Sequence, residues 1–175
     1  MFANTVTMRN NDNVLVIFAS PHSNGHTAKF LREFLQGQNI AKYNFFDCFK
    51  ANPKPCNACG GCDVKTECTH RDLDDFYKML KSATRIIFAF PIYNAGPPAP
   101  LKALIDRLQI YYCARFVRGV RPPISTPKLV DIITTCGNDK SHEDVIKAQI
   151  LPALTVINGK LDIYSEVCCT DNERI

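Results

Sequence analysis

No stretch of this 175-residue chain approaches the ~20 consecutive apolar residues of a membrane-spanning helix. The opening segment, Met1 to Asn13, is polar and holds one basic residue, Arg9. It lacks the apolar middle of a secretory signal and reads as a loose leader, residues 1–13, on a cytoplasmic protein. Clustered positive charge is missing as well. The formal net charge is +4, but the basic residues are scattered, which gives no footprint for nucleic acid. Both nucleotide fingerprints are absent: G-x-G-x-x-G and the P-loop ending in Gly-Lys-Ser/Thr. Internal repeats and a second domain are absent too, and no paired acid and base stands out as catalytic. What remains is ordinary for one globular domain, with 46% hydrophobic and 22% charged residues.

Cysteine is the exception to this ordinary composition. There are nine, an odd number, and no secretory signal accompanies them. Cys56, Cys59, Cys62 and Cys68 lie within thirteen residues, while Cys48, Cys113, Cys136, Cys168 and Cys169 are dispersed. That distribution argues against a disulfide framework and for metal or redox chemistry.

Val14–Ala19 is a short apolar run without alternation, which reads as a strand buried on both faces, and the strand Arg85–Phe90 holds a second buried run, Ile86 to Ala89. Further strands fall at Tyr43–Phe46, Leu129–Thr135 and Lys160–Val167. Apolar residues at helical spacing predict helices over Gly25–Leu35, Asp72–Lys81, Pro100–Tyr112 and Ser141–Leu154. Ser141 and Asp144 suggest a capping box on the last of these, and Pro152 should distort its final turn. Residues 52–70 form a cysteine-rich insertion. Pro91–Pro98 and Arg115–Pro127 read as irregular. Strands alternating with helices imply one α/β domain over 14–175, built on a parallel sheet covered on both faces. Ligands of such sheets bind beyond the carboxyl ends of the strands, at the switch in strand order. The loops after the first, third and fourth strands are therefore the places to look.

The first loop reads Ser20-Pro21-His22-Ser23-Asn24-Gly25-His26-Thr27. Three hydroxyls surround a helix N-terminus, where free N–H groups and the helix dipole favour a phosphate. An ordinary strand-to-helix turn with an N-cap is the plainer alternative. The second loop, Pro91-Ile92-Tyr93-Asn94-Ala95, is stiffened by proline and leads into Pro100-Leu-Lys-Ala-Leu-Ile-Asp-Arg107. Tyr93 there is either a ligand contact or a core residue. The third is Thr134-Thr135-Cys136-Gly137, in which Cys136 is either a ligand contact or a small buried residue.

Together these three motifs resemble the NAD(P)H-dependent FMN reductase and iron–sulfur flavoprotein families, over about Val14 to Val167. The resemblance implies a flavodoxin-like, doubly wound five-stranded parallel sheet in the order 2-1-3-4-5. It implies FMN bound by Ser20, His22, Ser23, Asn24, Gly25, His26 and Thr27 at the phosphate. Pro91, Ile92, Tyr93, Asn94, Ala95, Cys136 and Gly137 would lie at the flavin. NAD(P)H is then the co-substrate, and no protein residue need be catalytic, because the flavin does the chemistry. The last helix of the usual family member is missing after the fifth strand, and another subunit is expected to cover that face, making a homodimer or homotetramer.

The spacing Cys56-x2-Cys59-x2-Cys62-x5-Cys68 has two C-x-x-C steps sharing a middle cysteine, as in ferredoxin ligation of a [4Fe–4S] cluster. Glycines 60 and 61 would let the chain fold tightly, and Lys54, Lys65, His70 and Arg71 could offset thiolate charge. Free thiols and zinc are the alternatives. Three functions follow: an FMN-dependent NAD(P)H oxidoreductase with an unknown acceptor, an iron–sulfur flavoprotein carrier fed by ferredoxin, or a non-enzymatic zinc or thiol module.

Overall fold

The computed structural model describes residues 13–172. The expected leader lies outside the described residues, apart from Asn13. Five parallel strands form one sheet: β1 (Val14–Phe18), β2 (Asn44–Asp47), β3 (Arg85–Pro91), β4 (Lys128–Thr135) and β5 (Gly159–Val167). Their order is β2-β1-β3-β4-β5, as the resemblance implies. The switch in strand order falls between β1 and β3, which pair from Val14↔Arg85 to Phe18↔Ala89.

Two apolar layers explain why β1 and β3 show no alternation, whereas the edge strands β2 and β5 hold no buried residue. Leu15, Ile17, Ile86, Phe88, Val130 and Ile132 face helices α4 (Asp74–Ser82), α5 (Ala99–Asp106) and α7 (Glu143–Val156). Val14, Val16, Phe18, Ile87, Ala89 and Ile133 face α1 (His26–Gly37), which contributes Ala28, Leu31 and Leu35. Among the described residues α1 is the one helix on that second face, and after β5 there is only the 3-10 turn Thr170–Asn172. Towards β5 this face turns polar. Arg85 Nε donates to the Asp131 carboxylate at 2.6 Å, with both side chains almost wholly buried, and Asp162 approaches the same guanidinium at 3.9 Å. Leu129 and Val167 are exposed.

Several boundaries differ from the sequence expectation. β3 runs one residue further, to Pro91, because the neighbouring Ile92 N–H supplies the bond to the Thr135 carbonyl at 2.8 Å. The single helix expected over 100–112 is broken. The Arg107 carbonyl accepts from the Tyr77 hydroxyl at 3.1 Å, and the Tyr111 N–H turns to Leu108 instead at 2.9 Å. A short α6 (Gln109–Tyr112) follows, and the chain then continues as a π-turn, Cys113–Val117, where a loop was expected from Arg115. The last long helix begins at Glu143, not Ser141. Ser141 Oγ accepts the Glu143 N–H at 3.3 Å, and the Glu166 carboxylate accepts the His142 N–H at 3.1 and 3.2 Å, so the cap comes partly from β5 and not from Asp144. Pro152 lies inside this helix, which continues to Val156. Two short helices fall near and inside the cysteine insertion: α2 (Cys48–Ala51) and α3 (Gly61–Val64). Among the described residues no helix is long and apolar enough to cross a membrane.

Candidate functional site

The carboxyl ends of β1, β3 and β4 converge through backbone bonds. Ala19 N–H donates to the Ala89 carbonyl at 2.9 Å, and Ile92 N–H to Thr135 at 2.8 Å. After β1 the chain turns tightly. Ser20 is buried, and its Oγ accepts the His22 N–H at 3.3 Å. His22, Ser23 and Asn24 are exposed. Gly25 is the N-cap of α1, with its N–H bonded to the His22 carbonyl at 3.3 Å. A Cβ at Gly25 would lie 3.1 Å from that of His22, so a side chain there would push the turn open. No side chain caps α1, and no acidic residue lies in its first turn. This helix end therefore keeps its positive dipole for an anion.

Thr27, like Ser20, is buried and bonded inside the protein, but to a distant strand. It is 3% exposed, and its Oγ1 lies 2.7 Å from that of Thr135. It ties α1 to the end of β4, so its hydroxyl already has a partner inside the protein.

After β3 the segment Tyr93–Gly96 is a tight turn with two crossing bonds, Tyr93 N–H to Gly96 at 2.9 Å and Gly96 N–H to Tyr93 at 3.0 Å. Asn94 and Ala95 take φ of 49° and 59°. The left-handed conformation costs a residue with a Cβ, such as Ala95, about 1–2 kcal/mol. Strain of this kind concentrates where the surrounding structure fixes a loop for a purpose. Pro91 and Ile92 are half-buried and Asn94 is exposed. Tyr93 is 46% exposed, so it is not a core residue. After β4, Cys136 is buried, and Gly137 lies so close to Asp171 that an added Cβ would meet its carboxylate at 2.1 Å.

The cysteine insertion is held by two arginines that the sequence did not single out for this role. Arg107 is 1% exposed. It donates to the Lys54 carbonyl at 2.9 Å, the His70 carbonyl at 2.9 Å and the Asp72 carboxylate at 3.0 and 3.4 Å. It thus clamps both ends of the insertion. Arg118 donates to the Cys62 carbonyl and the Thr66 hydroxyl. By contrast, Lys65 and Arg71 pair with Glu67 and Asp74 at the surface. Of the two glycines, Gly60 takes φ 73° and Gly61 is pressed against Thr69.

Cys56, Cys59, Cys62 and Cys68 line one cavity of about 650 Å³, together with Arg107 and Cys113. Cys56 and Cys59 are exposed, Cys62 and Cys68 half-buried, and Cys113 buried. A hydrogen bond from Thr69 is the largest influence pulling the Cys59 thiol below its usual range, with a smaller one from Gly61. Burial pushes the Cys113 thiol up to about 12, with further rises from Asp63 and Cys62.

A single zinc ion needs four donors drawn closely together, since Zn–S bonds of about 2.3 Å put tetrahedral sulfurs roughly 3.8 Å apart. Among the described residues the tight groups, with ligand atoms within 4.8 Å, are Cys62–Asp63–Cys113 and Cys136–Glu166–Cys168, not the four motif cysteines. The four motif thiols line one cavity without being drawn together into one such group. The cavity also borders the β3 loop. Gln149 on α7 lines it and donates from Nε2 to the Ala95 carbonyl at 3.4 Å.

An iron–sulfur flavoprotein of Archaeoglobus fulgidus is 30% identical over 112 residues, 62% of this chain and 53% of the relative. One from Methanosarcina thermophila is 44% identical over 54 residues, 30% of this chain and 28% of the relative. The chain spans about half the length or less of these relatives. In fold it is similar to an NAD(P)H:quinone oxidoreductase from Methanothermobacter marburgensis, with a TM-score of 0.63 at 18% identity over 88% of this chain and 83% of that one. The family model described as NADPH-dependent FMN reductase matches residues 13–160, and the chain belongs to that flavodoxin-like family.

Proposed function

We propose that this chain is an electron carrier of the iron–sulfur flavoprotein kind, holding FMN at the strand ends and a [4Fe–4S] cluster in the cysteine cavity. The observation that carries this reading is the shared wall. Gln149 belongs to the cavity lined by all four motif cysteines and also bonds the β3 loop at Ala95. Bound FMN supplies the exchange between single electrons and electron pairs.

The chain's own residues have separate tasks. Ser20, His22, Ser23, Asn24, Gly25 and His26 form the phosphate turn at the uncapped start of α1, with Thr27 bracing it against Thr135. Pro91, Ile92, Tyr93, Asn94 and Ala95 present a rigid edge to the flavin ring, with Cys136 and Gly137 at its far side. Tyr93, half-exposed, is free to cover the ring. Arg107 and Arg118 fix the cysteine insertion and offset its thiolate charge. Cys56, Cys59, Cys62 and Cys68 are the cluster ligands. The electron donor in this reading is a ferredoxin-type protein.

A second reading, NAD(P)H as direct reductant with a separate acceptor, is favoured by the family model over residues 13–160. An anaerobic titration separates the two. With FMN and iron loaded, reduced ferredoxin should bleach the flavin band faster than NADH or NADPH. Faster bleaching by a nicotinamide would favour the second reading. A colourless protein that takes up neither FMN nor iron would leave the thiol module.

Self-association belongs to the proposal as well. On the β4–β5 side of the α1 face, Leu129 and Val167 are exposed and no described helix covers them. A second copy of the chain is the simplest cover.

A further inference from the structure

Two of the five cysteines outside the motif, Cys136 and Cys168, directly follow neighbouring strands. The last rung of the β4–β5 ladder is Thr135↔Val167, and the Cys136 N–H donates to the Val167 carbonyl at 2.9 Å. Cys136 and Cys168 are therefore the next pair in register. Neighbouring strands lie about 4.7–4.9 Å apart, inside the roughly 4.4–6.8 Å Cα separation that a disulfide spans. Their sulfurs are already 3.0 Å apart.

The backbone beyond them fixes this approach. Cys169 takes φ 64°, which turns the chain back. Its N–H then bonds the Asn138 carbonyl at 2.9 Å, while Thr170 reaches Cys136 O through its N–H at 3.1 Å and its hydroxyl at 3.0 Å. This turn seats Asp171 against Gly137. Neither thiol belongs to the C-x-x-C cluster motif.

We propose that Cys136 and Cys168 form a thiol–disulfide exchange site whose substrate is a low-molecular-weight disulfide, with Cys168 attacking and Cys136 resolving. Exposure sets the roles. Cys168 is half-buried and reachable, whereas Cys136 is 4% exposed. The Glu166 carboxylate lies within 4.8 Å of both sulfurs and keeps Cys136 as a thiol. Burial, the largest influence, and then Cys168 and Glu166 push that thiol up to about 12.

In the first step the Cys168 thiolate attacks one sulfur of the substrate, whose S–S bond breaks. One thiolate leaves, and a mixed disulfide remains on Cys168. In the second step Cys136 attacks the Cys168 sulfur, and the other half of the substrate leaves, taking up the Cys136 proton. Two protein thiols are oxidised to one disulfide, and one external disulfide is reduced to two thiols.

The test uses the full chain under argon with a metal chelator and oxidised glutathione, then acid quench, unfolding, alkylation and peptide mapping. Joint alkylation of Cys136 and Cys168 should fall about tenfold or more, with a crosslinked peptide pair lighter by two hydrogens. Cys136→Ser should trap a glutathione adduct on Cys168, Cys168→Ser should leave Cys136 unmodified, and Cys169→Ser should behave as wild type. Wild-type mapping needs no variant to fold. Unchanged alkylation of both thiols, or a crosslink through Cys169, would overturn the proposal. The readout is the mapped cysteine pair and requires neither FMN nor iron.

Discussion

Arg107, at the break between α5 and α6, meets Asp72, just ahead of α4, through two hydrogen bonds of 3.0 and 3.4 Å. The same carboxylate accepts the Lys54 N–H at 2.9 Å. One buried guanidinium and one carboxylate thus close the cysteine insertion from both sides. Arg107 is the last residue of the helix motif after the β3 loop, so the helix that leads from that loop carries the anchor of the cysteine insertion.

Removing that anchor should be costly. Arg107→Ala leaves the Lys54 and His70 carbonyls without this donor and takes the guanidinium from the Asp72 carboxylate, which keeps the Lys54 N–H. Breaking one side of a buried ion pair costs about 3–5 kcal/mol, and the partial exposure of Asp72 puts this case near the lower end. Thermal or urea unfolding measures the loss. Hydrogen exchange should show it concentrated at 52–72. Arg107→Lys should recover little, because a single ammonium cannot reach two carbonyls and a carboxylate in one plane.

The anchor also predicts a pH dependence. Burial raises the Asp72 carboxyl, but hydrogen bonds from Arg107 and the Lys54 N–H outweigh it and hold the group below the usual carboxylate range. A depressed folded pKa contributes stability that is complete above the unfolded value of about 3.9 and disappears as pH falls through the folded value. The insertion should therefore stay protected at pH 5 and open progressively below about pH 4. Proteolysis with an acid-active protease can follow this. In Asp72→Asn that acid step should vanish and protection should be weaker at pH 7.

At the phosphate turn, Ser20→Ala should weaken FMN binding by about 1–3 kcal/mol, the value of a hydrogen bond to a charged group. Thr135→Val removes the partner of Thr27 without touching the turn itself, leaving a buried hydroxyl unsatisfied. It should lower stability by about 1–3 kcal/mol and loosen FMN less than Ser20→Ala does. Isothermal titration and thermal melts of the two variants separate binding from bracing. Equal FMN affinity in Ser20→Ala and wild type would remove this loop from the site.

Sedimentation tests the uncovered face. The chain should run as a dimer or larger species at micromolar concentration, and Leu129→Glu with Val167→Glu should shift it towards monomer. A monomer at every concentration would leave the β4–β5 face solvated.

The sheet was legible because its central strands, β1, β3 and β4, are short, largely apolar runs buried on both sides, and the turns after them hold glycine, proline and hydroxyl residues; the edge strands β2 and β5 hold no buried residue. The cysteine motif was legible because its spacing is local. What escaped depends on distant partners. Arg107 reads as a helix-end residue until the fold brings Lys54, His70 and Asp72 around it. Thr27 reads as a hydroxyl of the phosphate turn, and only the fold brings Thr135 within 2.7 Å of it. Cys136 and Cys168 are 32 positions apart and meet only through the β4–β5 register. The helix break at Arg107 escaped for the same reason, since Tyr77 draws away the carbonyl that would have continued the ladder.

The central claim is that Cys56, Cys59, Cys62 and Cys68 hold a cluster beside the flavin loops. Anaerobic reconstitution with iron and sulfide, followed by iron counting and EPR of the reduced protein, tests it most directly. The account predicts about four irons per chain and a reduced-cluster signal that is lost in Cys59→Ser. A wild-type chain that folds and binds FMN but holds no iron after reconstitution would contradict it.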